Sequence, residues 1–258
     1  MELREWAISI LDATSFENKL FYPAILTDRN PGSPLLWDTP ARPQGMELKK
    51  ATQKNKLPPF HEHHNPEKRA HCLHRFLGHE LLAVEMMAFA LLAYPQAPKH
   101  FRKGLANILK EEQWHVKLYA NHLQNMGVNV DDLPFYGHFW KHVSYFKTPL
   151  EYISVMHLTL EMANLDFAPH YGASFLRHGD IASSNLMKQI LTDEIEHVSF
   201  GYHWFKKFKP EHEEDYNTWI KALNPTLSPK KARGFIFQNQ PREQAGIPLN
   251  WINNLRNL

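Results

Sequence analysis

From Pro66 onward, apolar residues recur at alternating spacings of three and four, the period of a helix face, and this pattern predicts four long helices. The first covers about residues 66–94 and carries the stripe Leu73, Leu77, Glu80, Val84, Met87 and Leu91, in which Glu80 is the one charge. The second covers about 98–126, with Pro98 suited to a first turn and Gly127 to a stop. Its stripe is Phe101, Leu105, Ile108, Glu112, His115 and Tyr119. The third, about 149–178, carries Leu158, Glu161, Leu165, Ala168 and Phe175. Pro169 inside it is expected to kink or open the helix, since proline deletes a backbone donor and crowds the preceding turn. Gly179 and Asp180 then supply a stop and an N-cap. The fourth, about 181–208, places Met187, Ile190, Glu194, His197, Gly201 and Trp204 on one face.

Outside these segments the period fades. Residues 2–12 read as a short amphipathic helix. The seven prolines between Phe21 and Phe60 exclude long helices there. Leu35, Leu36, Trp37 and Phe60 make that stretch too apolar for a free linker, so an ordered wrapping arm is expected. Residues 128–148 form a long, partly aromatic connection, and 210–258 an irregular cover with a short helix near 251–255. The expected architecture is an all-α four-helix bundle with a long crossover between helices 2 and 3 and Pro-rich extensions. We expect one domain over 1–258, divided into arm (1–65), bundle (66–208) and covering segment (209–258).

Composition changes this picture little. The 258 residues are 43% hydrophobic and 22% charged, ordinary for a soluble globular protein. The longest apolar run, 81–94, is broken by Glu85 and falls short of the roughly 20 residues of a membrane span. The N-terminus has no basic region followed by an apolar one, so a cytoplasmic location away from membranes is expected. Cys72 is the single cysteine, which excludes an internal disulfide and a thiolate cluster and leaves oxygen and nitrogen to hold any metal. Net charge is +2. Lys49, Lys50, Lys54 and Lys56, and Lys230, Lys231 and Arg233, form only loose basic clusters, read as solvated loops with weak attraction for an anionic substrate or RNA as the alternative.

Candidate chemistry comes from repetition. With 18 Glu and 17 His in the chain, chance supplies about one Glu-x-x-His pair, so one such motif carries no weight. Two occur, Glu112/His115 and Glu194/His197, and each follows another stripe glutamate, Glu80 by 32 residues and Glu161 by 33. An acidic residue lies five positions after each first glutamate (Glu85, Asp166) and another directly before each second (Glu111, Asp193). The chain reads as a duplicated helical hairpin.

Positions three apart lie on one helix face, so a carboxylate and an imidazole at that spacing can share one ion. Four glutamates on apolar faces would cost several kcal/mol each if buried as bare anions. Two di- or trivalent metal ions would meet that charge. A set of four carboxylates and two imidazoles suits iron or manganese and argues against structural zinc. Glu85, Glu111, Asp166 and Asp193 could orient the ligand imidazoles or be solvated helix charges, and Tyr119, one turn past His115, could border the site. His61, His63 and His64 form a histidine tract best read as a polar loop.

At these residues the sequence resembles the ferritin-like, carboxylate-bridged di-iron superfamily, in which two helices give one Glu and two give Glu-x-x-His. The runs HELLAVEMMAFALLAYPQAP, KEEQWHVKLY, LEMANLDFAPHYGASF and TDEIEHVSFG look like an uncharacterised ferritin-like family catalogued as a domain of unknown function. The resemblance covers residues 66–208. It implies a ferritin-like bundle with two iron ions, or manganese or a mixed pair. Glu80 and Glu161 would be terminal ligands, Glu112 and Glu194 bridges, and His115 and His197 would each bind one metal.

Such a centre implies an O2-activating oxygenase or oxidase, of hydroxylase type, on an organic substrate. A transfer-RNA nucleoside is conceivable, because ferritin-like transfer-RNA hydroxylases exist. A ferroxidase that handles iron, and a non-catalytic helical interaction protein, are the alternatives. An enzyme further implies an electron donor and a monomer or dimer rather than a storage shell. Roughly 65 residues before the bundle and 50 after it favour the enzyme, since a substrate pocket needs such additions.

Overall fold

The computed structural model describes residues 1–50 and 56–258; Lys54 of the first basic cluster lies outside the described residues. The protein is all-α, with ten α-helices and one two-stranded pairing among the described residues. It divides into two compact units, Met1–Ser144 and Tyr145–Leu258.

The first unit is built on an antiparallel hairpin of α3 (Pro66–Ala93) and α4 (Lys99–Asn125). Asn65 starts α3 by accepting from the Glu67 backbone N–H at 2.9 Å, with Pro66 in the first turn, where its missing donor costs nothing. Gly127 ends the second helix with φ +77°, a left-handed conformation that a side chain would strain. The α3 stripe residues Leu73, Leu77, Val84, Met87 and Leu91 are all buried. α3 is long and apolar enough to cross a membrane, with mean hydropathy 1.6 over 18 residues, but 83% of that window is buried, as in the core helix of a soluble protein.

The arm before this hairpin is ordered upon it. Helix α1 (Leu3–Leu11) buries Trp6, Ile10 and Leu11, and α2 (Phe16–Lys19) follows. Asp28 pairs with Arg102 through two 3.0 Å contacts, while the same guanidinium caps the Leu91 and Tyr94 carbonyls at the end of α3. Leu35 N–H donates to Leu92 O at 3.0 Å, and Trp140 Nε1 to Asp38 O at 2.7 Å. β1 (Leu48–Lys49) pairs in parallel with β2 (Phe135–Tyr136), a two-residue contact with no periodic signal in the sequence.

The second unit is also a hairpin. Its first arm runs from α5 (Pro149–Val155) through a π-helical stretch, Met156–Glu161, into α6 (Met162–Arg177); its second is α7 (Ile181–Phe208). Asp180 caps α7 by accepting from Ser183 N–H at 3.0 Å, and Gly179 turns with φ +79°, as expected. α6 stays α-helical through Pro169; the helix departs from α geometry earlier, over the six residues that end on Glu161. The tail is more helical than expected, with α8 (Asp215–Ala222), α9 (Gln240–Gln244) and α10 (Leu249–Arg256). Trp219 of α8 and Trp251 of α10, fully buried and 5.4 Å apart, anchor those two helices.

Two predictions follow from burial. The Cys72 thiol is pushed up to about 12 by burial, so its reactive thiolate is scarce at neutral pH. Iodoacetamide should therefore label the protein in denaturant and leave the native protein unlabelled; fast native labelling would contradict that. Arg242→Ala removes the guanidinium that meets Asp166 at 2.6 and 2.9 Å with both side chains fully buried. It should cost about 3–5 kcal/mol in urea unfolding, the scale of a buried pair broken on one side.

Candidate metal centre

Each unit carries one set of the predicted residues. In the first, Glu80 projects from α3 and Glu112 and His115 from α4; all three are buried, and each offers a ligand atom within 4.8 Å of the others. His115 Nδ1 lies 3.3 Å from Glu112 Oε2, as the three-residue spacing requires. Tyr119, one turn on, is buried and meets the Phe76 ring edge-on at 6.3 Å. In the second unit Glu161, Glu194 and His197 are likewise buried with ligand atoms within 4.8 Å of one another. His197 Nδ1 stands 3.8 Å from Glu194 Oε2, while Glu194 Oε1 accepts from Asn164 Nδ2 at 2.7 Å.

The acidic residues flanking these sets have varied uses. Glu85, fully buried, meets Lys19 Nζ at 2.8 Å and Arg42 at 2.5 Å. Burial lowers the Lys19 pKa and the Glu85 charge opposes that shift. Asp166, also fully buried, accepts from Arg242 and from the Gly234 and Gln238 backbone N–H groups at 2.8 and 2.7 Å. Both carboxylates thus fasten a terminal segment to a hairpin. Glu111 is exposed and Asp193 half-buried. The histidine tract does not converge: His63 is buried with Nε2 3.3 Å from Pro58 O, His64 reaches the His61 carbonyl at 2.9 Å, and His61 is exposed.

Sequence reasoning missed His157. Its Nδ1 lies 2.5 Å from Glu161 Oε2, within the π-helical stretch and fully buried. The signal was present in its spacing, four residues before Glu161, but 17 histidines obscured it. The opposite wall is Gly201 of α7, where an added Cβ would stand 2.3 Å from His157 Cβ. The wide turn is held by Thr159, whose hydroxyl donates to Ser154 O at 2.7 Å, and by Trp219 Nε1, which donates to Ser154 O at 3.1 Å and Thr159 Oγ1 at 3.2 Å.

The donor set fits a metal. It is carboxylate and imidazole without sulfur, buried, and Glu161 Oε1 finds no hydrogen-bond donor among the described residues. A buried carboxylate oxygen left without a donor is costly unless a cation meets it. These residues could therefore hold a metal ion.

A family model matches the chain over residues 10–253. The chain belongs to the family described as "Protein of unknown function (DUF455)". Membership of DUF455 agrees with the resemblance of the HELLAVEMM and TDEIEHVSFG runs to an uncharacterised family. The chain is also similar to an uncharacterized protein of Haemophilus influenzae, 28% identical over 160 residues, which are 59% of this chain and 54% of that protein. The chain thus spans about half the length of the curated relative it matches. No solved structure matches it.

Seating of His157 against a glycine in this DUF455 chain is testable by stability alone. Gly201→Ala should lower stability by about 1–3 kcal/mol in urea unfolding, the scale of overpacking a filled interior. An unchanged midpoint would mean that α7 is not pressed against His157.

Proposed function

We propose that the two buried triads, Glu80/Glu112/His115 and Glu161/Glu194/His197, supply the donor set of a ferritin-like di-iron protein, with manganese or a mixed pair as the other fillings. On this reading the protein is a cytoplasmic O2-dependent oxidoreductase of hydroxylase type that acts on an organic substrate as a monomer or dimer and draws electrons from a separate donor. The observation that carries the proposal is the duplication itself: the same glutamate followed by Glu-x-x-His, buried on the apolar face of a hairpin, in each unit. A designed or natural di-iron bundle uses this donor set.

Two bound iron ions, reduced by the separate donor, would pass two electrons to dioxygen while the substrate gives the other two, so that one oxygen atom enters the substrate and the other leaves as water. The chain's own residues provide the rest. Glu80 and Glu161 would act as terminal ligands, Glu112 and Glu194 as bridges, and His115 and His197 as the nitrogen donor for each ion. His115 and His197 are buried beside these carboxylates, and a metal ion takes an imidazole in its neutral form. Asn164 fixes one oxygen of Glu194 and leaves the other on the His197 side. The ion pairs at Glu85 and Asp166 hold terminal segments in place that a minimal storage bundle would not need, which supports an enzyme over a ferroxidase. With net charge +2 and no massed basic face in the sequence, an RNA-borne nucleoside has no particular support, and the substrate class stays organic.

Metal analysis of protein expressed with iron available should give about two ions per chain, and Glu112→Ala and Glu194→Ala should each lose most of the metal. Full occupancy in either variant would remove the ligand assignment. A large assembly that takes up iron far beyond two per chain would favour the ferroxidase, and metal-free wild-type protein the interaction protein.

A further inference from the structure

The site as read from the sequence assigns no task to His157, yet the fold invests three separate features in its position. The helix widens to π geometry from Met156 to Glu161, so that His157 and Glu161 share one broad turn. α7 carries a glycine, Gly201, where any side chain would strike the His157 Cβ at 2.3 Å. Trp219, from the tail, locks the turn through Ser154 O and Thr159 Oγ1. π-turns are rare and recur at functional sites. The imidazole is enclosed edge-on by Tyr152 at 5.5 Å and Phe200 at 5.4 Å, so it has little freedom to swing.

The consequence falls on Glu161. One of its oxygens, Oε2, is taken by His157 Nδ1 at 2.5 Å, and the other, Oε1, has no hydrogen-bond donor among the described residues. We propose that His157 is a positioning residue for the metal site of the second unit: its Nδ1–H holds Glu161 Oε2 and thereby fixes Oε1 as the single oxygen offered to the ion. This deepens the metal reading and rests on it. Glu161 would then offer an ion one oxygen rather than two. The second unit differs here from the first in sequence, since the position four before Glu80 is Phe76, whose side chain has no polar atom.

Cobalt(II) titration of metal-free, full-length protein tests this, because visible absorption reports coordination independently of turnover. Three variants are compared: His157→Leu, which keeps bulk and removes the donor; His157→Asn, whose side-chain amide nitrogen replaces Nδ1; and Glu161→Ala as the ligand-loss reference. His157→Leu should weaken cobalt binding roughly 10- to 100-fold, the usual effect of losing a group that orients a ligand. It should also alter the visible spectrum, while His157→Asn restores both to near wild type. Wild-type binding and spectrum in His157→Leu would overturn the positioning role and leave the metal reading intact. Equal losses in His157→Leu and His157→Asn, with matching losses of folding stability, would overturn it in favour of a packing role. Failure of the wild-type protein to bind cobalt or iron would overturn the metal reading and this inference together.

Discussion

Burying an ionised carboxylate in an apolar helix interface costs several kcal/mol unless a cation or a full set of donors meets it. Six acidic side chains sit in that position on the two hairpins: Glu80, Glu85, Glu112, Glu161, Asp166 and Glu194. They resolve the cost in two ways. Glu85 and Asp166 are met by cations of the chain itself, Lys19 and Arg42 for one and Arg242 for the other. The remaining four stand with histidines: Glu80 and Glu112 with His115, Glu194 with His197, and Glu161 with both His157 and His197. This division explains why the chain has long terminal segments at all. Each segment brings a cationic side chain to one buried carboxylate.

The two carboxylates with guanidinium partners lie five residues after the two first-stripe glutamates, so the duplication extends to the way each hairpin is tied down. In the first unit the tie comes from the sequence before the hairpin and in the second from the sequence after it. Each tie sits on the same helix as a proposed ligand, little more than one turn away. A buried ion pair of this kind is weak evidence for net stability and better evidence for a fixed arrangement. Here the arrangement fixed is the helix segment that carries Glu80 or Glu161.

The long helices were legible because several local signals agreed. Asn65 and Pro66, Asp180, Gly127 and Gly179 mark boundaries, and the period of three and four marks the buried face; α7 begins and ends where that pattern does. The two Glu-x-x-His pairs and their leading glutamates were legible because spacing on a helix translates directly into proximity. What escaped were features decided at long range. Arg42 meets Glu85 across 43 residues and Arg242 meets Asp166 across 76, and nothing local marks either arginine. The π-turn has no glycine or proline to announce it; Trp219, 60 residues away, and the glycine at 201 set it. Pro169 drew attention as the expected opening, yet α6 continues through it. In the tail, the short helix near 251–255 was legible and is α10, whereas α8 and α9 escaped because they are eight and five residues long and are held by buried Trp219 and Arg242 rather than by a long stripe.

On the metal reading, the arrangement of the buried glutamates outside the two arginine ties serves to bind ions. That reading is tested most directly by thermal unfolding of chelator-treated protein with and without excess manganese(II), which needs neither substrate nor electron donor. Because the ions would bind the folded chain and not the unfolded one, stability should rise by about 2.7 kcal/mol for each ion bound when free metal is a hundred times the dissociation constant. The account predicts a clear upward shift in Tm that disappears in Glu112→Ala and Glu194→Ala. The same Tm with and without metal, across manganese and iron(II) alike, would contradict it.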